Sequence, residues 1–279
     1  MSGLRRAIPR CIFVTGLLLI LHPSTFAQEA AAISNPQPEQ STKPTLDKIL
    51  LKLEDNFLRY RSSIPSFFCD EHVVSGMQQN GMPLFVTLTD SIFRLKRSDH
   101  DNQTRLAESR EIKTVDHKPS KDAQILKGPA IFSGAFSNAT AIVTFDEKAC
   151  YTYHLTTSLS DHPYVIEYAT KAAKDRDKHC LMQESSTGRA FIDPLTMQIE
   201  RIEYRTPNHP LPGTRALWTW SIDYGKVLLN GKTFWLPKKI TAEVAGYSTP
   251  VEWSFDATYR NYHELTVTSR NCPVTRQRR

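Results

Sequence analysis

Residues that could do chemistry are scattered through this sequence rather than grouped. A nucleophilic serine usually announces itself as Gly-x-Ser-x-Gly or Ser-x-x-Lys, and neither pattern occurs. Cys-x-x-Cys is absent as well, which argues against dithiol exchange. Asp70-Glu71-His72 and His179-Cys180 set potential metal ligands side by side. Adjacent residues on a strand point to opposite faces, however, and seldom share one ion. With no His-Glu-x-x-His pair either, no metal, no cofactor and no catalytic residue is expected. Two carboxylates suffice for glycoside hydrolysis and any chain of this size has them, so a hydrolase of unrecognised type stays as an alternative without support of its own.

The aromatic residues are the stronger lead. Trp218, Trp220, Tyr224, Trp235 and Trp253 concentrate in the C-terminal third. Facing strands could present them to a concave surface suited to an acyl chain, where burial gains about 25 cal/mol per Å² of apolar surface. The competing reading makes them ordinary core, since aromatic side chains dominate ordinary cores.

Positioning these residues requires strands. Thr45 can cap a helix whose apolar residues Leu46, Ile49, Leu50, Leu53, Phe57, Tyr60 and Ile64 form one stripe, ended by Pro65. Phe67–Ser75, Leu84–Lys96 and Thr104–Asp116 then read as strands, with Asn80-Gly81 as a turn. Gly128-Pro129 punctuates, and Ile131–Phe145 has the spacing of a second, buried helix. An antiparallel meander follows: Tyr151–Thr157, Tyr164–Ala169, Gly188–Ile192, Ile199–Arg205, Leu217–Tyr224, Thr233–Leu236, Ile240–Ala245 and Trp253–Tyr262. Asp193-Pro194 and Asn230-Gly231 supply turns. Ile199 and Ile202 share a face only if a bulge intervenes. The expected class is α+β, a large curved antiparallel sheet with two helices.

The N-terminus sets the compartment. Arg5, Arg6 and Arg10 precede the apolar run Cys11–Leu21, and Thr25-Phe26-Ala27 offers a small-residue cleavage site before Gln28. That run falls short of the about 20 residues needed to span a bilayer, so residues 1–27 read as a signal peptide and the mature chain as periplasmic or secreted, with no transmembrane segment. Residues 28–44 read as a disordered leader, 45–272 as one domain and 273–279 as a basic tail. The signal arginines and Arg276, Arg278 and Arg279 account for the whole formal charge of +6, leaving residues 28–275 neutral and without a phosphate-binding face, so no nucleic-acid partner is expected. Cys69, Cys150, Cys180 and Cys272 remain after cleavage, an even set in an oxidising compartment. Three pairings are open; Cys150 with Cys180 flanks a hairpin-like stretch, and Cys69 with Cys272 would tie the first strand to the last.

Two stretches carry a resemblance. The run Gly188–Glu203, with Asp193-Pro194 at its turn, and the run Tyr224–Ile240, with Asn230-Gly231 at its turn, resemble hairpins of the LolA/LolB-type periplasmic lipoprotein carriers. The Ile64-Pro-Ser-Phe-Phe-Cys69 opening is similar to that of uncharacterised secreted bacterial proteins. This resemblance implies an incomplete, strongly curved β-barrel with helices plugging its concave side. It transfers no functional residue. The expected function is that of a non-enzymatic envelope protein binding a lipid or lipoprotein in the apolar concavity. The rival reading is an interaction or sensor module that engages an envelope protein partner.

Overall fold

The computed structural model describes residues 44–100, 103–119, 134–156, 164–211, 214–247 and 251–265. The signal segment, the leader up to Lys43, Ile131–Ser133, Cys272 and the basic tail lie outside them.

One α-helix, α1 (Leu46–Ser63), opens the described chain. Thr45 caps it, the side-chain oxygen accepting from the Lys48 backbone N–H, and Asp47 sits in the first turn where the helix dipole favours a carboxylate. At the other end the Ile64 N–H still reaches the Tyr60 carbonyl before extended backbone and Pro65 stop the helix. Ile49, Leu50 and Leu53 are buried, whereas Leu51 and Leu58 on the far side are exposed. Each fully buried Leu or Ile contributes about 1.5–3 kcal/mol over an exposed one, so this stripe holds the helix in place.

Eleven antiparallel strands form one open sheet: β1 (Phe67–Gln79), β2 (Met82–His100), β3 (Gln103–Val115), β4 (Lys118–Pro119), β5 (Tyr151–Thr156), β6 (Tyr164–Thr170), β7 (Thr187–Ile192), β8 (Ile199–Leu211), β9 (Thr214–Leu229), β10 (Lys232–Gly246) and β11 (Val251–Glu264). The spatial order is β4-β3-β2-β1-β11-β10-β9-β8-β7-β6-β5. Asn80-Gly81 and Asn230-Gly231 have positive φ at both positions, the conformation that two-residue hairpins require. Because β4 and β5 lie at opposite edges, the chain between them must cross the sheet. Part of that crossing, residues 134–149, packs into the same core as α1.

The face against α1 is apolar: Phe67, Cys69 and Val73 of β1, Phe93 and Leu95 of β2, Ile240 and Ala242 of β10, and Phe255, Ala257 and Tyr259 of β11 are buried. The other face is polar. One register row across it reads His154, Glu167, Arg189, Glu203, Ser221, Thr241, Asp256 from β5 to β11.

Two expectations change and one holds. The stretch 134–145 is not an α-helix: it is a turn at Gly134, whose φ is 97°, and a 3-10 helix over Ala139–Val143, after which Thr144 is extended. Its N–H groups are taken elsewhere, since the Glu108 carboxylate of β3 accepts from Gly134, Phe136 and Ser137 at 2.9, 3.0 and 2.9 Å. There is therefore one α-helix among the described residues, not two. Thr233–Leu236 and Ile240–Ala245 are one strand, β10, interrupted by a bulge between Pro237 and Lys239 where proline has no N–H for the ladder. The bulge foreseen between Ile199 and Ile202 is present: Phe191 pairs with Arg201 and Ile192 with Ile199, so both isoleucines are buried.

Cys150 and Cys180 are joined by a disulfide with Cα atoms 5.5 Å apart. Cys69 faces the core at the start of β1 without a disulfide partner among the described residues, and the expected partner Cys272 lies outside them.

Candidate functional site

A hollow of about 210 Å³ lies in the seam between α1 and the sheet. Leu53, Phe57 and Tyr60 line it from the helix, Ala135, Phe136 and Thr140 from the crossing segment, and Tyr224, Phe234, Trp235 and Pro237 from β9 and β10. Asn56, Arg59, Ser63 and Gln198 add polar groups to its lining. Asn56 donates to the Met197 carbonyl at 2.6 Å, and Arg59 is paired with Asp55.

Phe136 anchors one wall. Its ring stacks on Phe93 with centroids 4.3 Å apart and meets Tyr259 edge-on at 4.9 Å, while its carbonyl accepts from the Tyr60 hydroxyl at 2.6 Å. The Glu108 carboxylate fixes the same turn through its backbone N–H groups. Burial pushes the Tyr60 phenol far up, and the Glu108 charge adds to this. Tyr224 is held well above the ordinary phenol range by burial first and by Tyr60 and Glu108 next, so both hydroxyls are donors. Tyr224 differs from Tyr60 in one respect: its hydroxyl is buried with no hydrogen-bond partner among the described residues.

The five aromatic residues singled out by composition separate into two groups. Tyr224 and Trp235 line the hollow. Trp220 stacks on Tyr204 at 4.9 Å, Trp218 meets His209 at 4.7 Å, and Trp253 meets Phe85 edge-on at 5.8 Å, none of them in the seam. Sequence reasoning treated Leu53, Phe57 and Tyr60 only as a packing stripe and did not single out Phe234. The spacing of Phe57 and Tyr60, two large rings one turn apart on the buried stripe, is the signal that was available.

A larger depression of about 800 Å³ covers β5 to β10 on the polar face. Its central charges neutralise one another: Arg189 pairs with Glu203 at 2.6 Å, and Arg201 with Glu203 and Asp223 at 2.9 Å each. This is a solvated sheet face. A third depression brings His72, Asp90, Asp70, Lys113 and Arg260 together. His72 Nδ1 stands 2.7 Å from Asp90, whose other oxygen accepts from Thr114, also at 2.7 Å. Both partners are 48% exposed, so the pair sits in water and lacks the enclosure that proton-transfer catalysis exploits. Among the described residues no group of three or more His, Cys, Asp or Glu side chains could hold a metal ion, and no helix is long and apolar enough to cross a membrane.

Against known proteins, no family model and no curated protein matches the sequence. Over most of its length the chain aligns with solved structures of LolA-superfamily and DUF1329 proteins. A DUF1329 family protein from Desulfovibrio piger is 12% identical, with 77% of this chain and 93% of that one covered at a TM-score of 0.36. A domain provisionally described as an outer membrane lipoprotein-sorting protein, from Vibrio parahaemolyticus, is 11% identical over 79% and 94% at 0.38. A LolA superfamily protein from Nitrosomonas europaea is 13% identical over 81% and 96% at 0.35. At such identities and scores the functional reading rests on the seam's own geometry.

Proposed function

We propose that this chain is a non-enzymatic, exported envelope protein, with residues 45–272 as one half-barrel domain, that takes up an acyl segment of a lipid or of a lipidated partner between α1 and the sheet. The observation that carries the reading is the hollow walled by Leu53, Phe57, Phe136, Phe234 and Trp235 in a seam where one helix meets a wide sheet. Its volume lies below the about 300–1,000 Å³ of preformed small-molecule pockets. The occupied form therefore requires α1 to move outward, exchanging helix-to-sheet contacts for contacts with the ligand. Export rests on residues 1–27 and the disulfide-forming cysteines. The test is native mass spectrometry with lipid extraction on protein purified from its own envelope. Co-purifying lipid supports the reading; protein that carries none and takes up no apolar fluorophore sinks it.

A second reading, an interaction or sensor module, is favoured by the wide polar depression across β5 to β10, which has room for side chains of a protein partner. Cross-linking in the native envelope separates the two: one protein partner captured through this face, with no lipid bound, would select it.

A further inference from the structure

We infer that the seam recognises a neutral acyl ester or amide, with the Tyr224 hydroxyl donating to its carbonyl oxygen; this rests on the acyl-binding reading above. A hydrocarbon chain alone offers nothing to a hydroxyl, and the seam holds one that no described residue satisfies. Tyr224 lines the hollow, and its oxygen is buried and unpartnered. The neighbouring Tyr60 hydroxyl, in contrast, is spent on the Phe136 carbonyl at 2.6 Å. Buried donors are almost always paired, and one that is not marks a place where an acceptor is missing. Opening the seam for an acyl chain brings an acceptor to that donor only if the chain carries one near its apolar part. The carbonyl of an ester or amide does.

Charge narrows the class further. Glu108 is a charged group whose field reaches Tyr224, and its carboxylate is held by the backbone N–H groups of Gly134, Phe136 and Ser137. An anionic acceptor at Tyr224 would be repelled by that charge, whereas a neutral carbonyl presents only a dipole. Arg59, which also lines the hollow, is engaged by Asp55 at 2.6 Å and does not compensate deeper in. Free fatty acids are thus disfavoured relative to esters and amides of the same length.

The test displaces N-phenylnaphthylamine from the purified full chain with methyl heptanoate, nonane or heptanoate, on wild type and Tyr224→Phe. The expected result is that the ester binds about fivefold to tenfold more tightly than nonane and more tightly than the free acid, and that Tyr224→Phe lowers ester affinity to the nonane value. Tyr224→Phe that melts at or above the wild-type temperature shows that the fold is intact. Ester and nonane binding equally, or an ester preference surviving in Tyr224→Phe, overturns the carbonyl inference and leaves acyl binding standing. No displacement by any of the three overturns acyl binding itself, and the inference with it.

Discussion

Glu71 and Arg110 form an ion pair inside the core, the Arg110 Nε standing 2.7 and 2.9 Å from the two carboxylate oxygens, with the Glu71 side chain fully buried and Arg110 only 10% exposed. Tyr259 donates to the same carboxylate at 2.8 Å, and the guanidinium lies 5.1 Å from the centroid of Phe93. Removing one partner leaves the other charged and dry. Arg110→Met is expected to cost about 3–5 kcal/mol in urea unfolding, and Glu71→Leu a similar amount. The double variant should lose less than the sum, because it leaves neither charge stranded. Additive losses would show that the two do not act as a pair.

Gly188 sits where a side chain has no room. A Cβ there would stand 2.2 Å from the Glu203 carbonyl oxygen and 2.3 Å from Cζ of Tyr168, whose ring lies across the glycine and whose hydroxyl donates to that same carbonyl at 2.6 Å. Gly188→Ala should destabilise by about 3 kcal/mol, since rigid backbone on the neighbouring strand must shift. Tyr168→Phe should cost about 1 kcal/mol. Equilibrium denaturation of the two variants checks the order.

Glu147 has a raised pKa, through burial first and Asp146 second, and its Oε2 has no hydrogen-bond partner among the described residues. The folded state thus prefers the neutral acid. Its contribution to stability is fully present below the unfolded value near 4.5 and is lost as pH rises through the folded value. Glu147→Gln should therefore melt about 2 °C higher than wild type at neutral pH and close to it at pH 4. An equal shift at both values would point to packing instead of charge.

The Cys150–Cys180 bond spans 30 residues of chain and encloses the β5–β6 hairpin. Reduction should cost about 3–4 kcal/mol, by the loop-entropy relation. Cys69 is buried, and burial together with the neighbouring Glu71 and Asp70 pushes its thiol far up, so it should resist alkylation until the protein unfolds. Mass spectrometry after iodoacetamide labelling with and without denaturant reads this directly.

Much of the architecture was legible because it rests on local signals. Thr45 and Pro65 bracket α1, and Asn80-Gly81 and Asn230-Gly231 adopt the positive φ that their chemistry permits. The failure at 134–145 has a definable cause. Helical spacing of Ala135, Phe136 and Ala139 indicates burial, and a crossing segment packed under a helix is buried without being helical; Glu108, 26 residues before Gly134, takes its N–H groups. The seam was half legible. Aromatic clustering marked Tyr224 and Trp235, but the bulge after Pro237, opposite Tyr224, changes the register of β10 against β9, and nothing local fixes where Trp220 and Trp235 then point.

The connection from α1 to β1 is only Ile64-Pro65-Ser66, with Ile64 fully buried and the Leu265 N–H bonded to the Ser66 carbonyl at 2.8 Å. Three extended residues reach about 10 Å, so the last turn of the helix is leashed to the sheet whatever happens at its start. The outward motion of α1 that acyl binding would require is then rotation about the Ile64 end rather than release, and the gap it would open is a wedge. A chain entering that wedge would go in from the Leu46 side, end first, and its depth of insertion would set the angle.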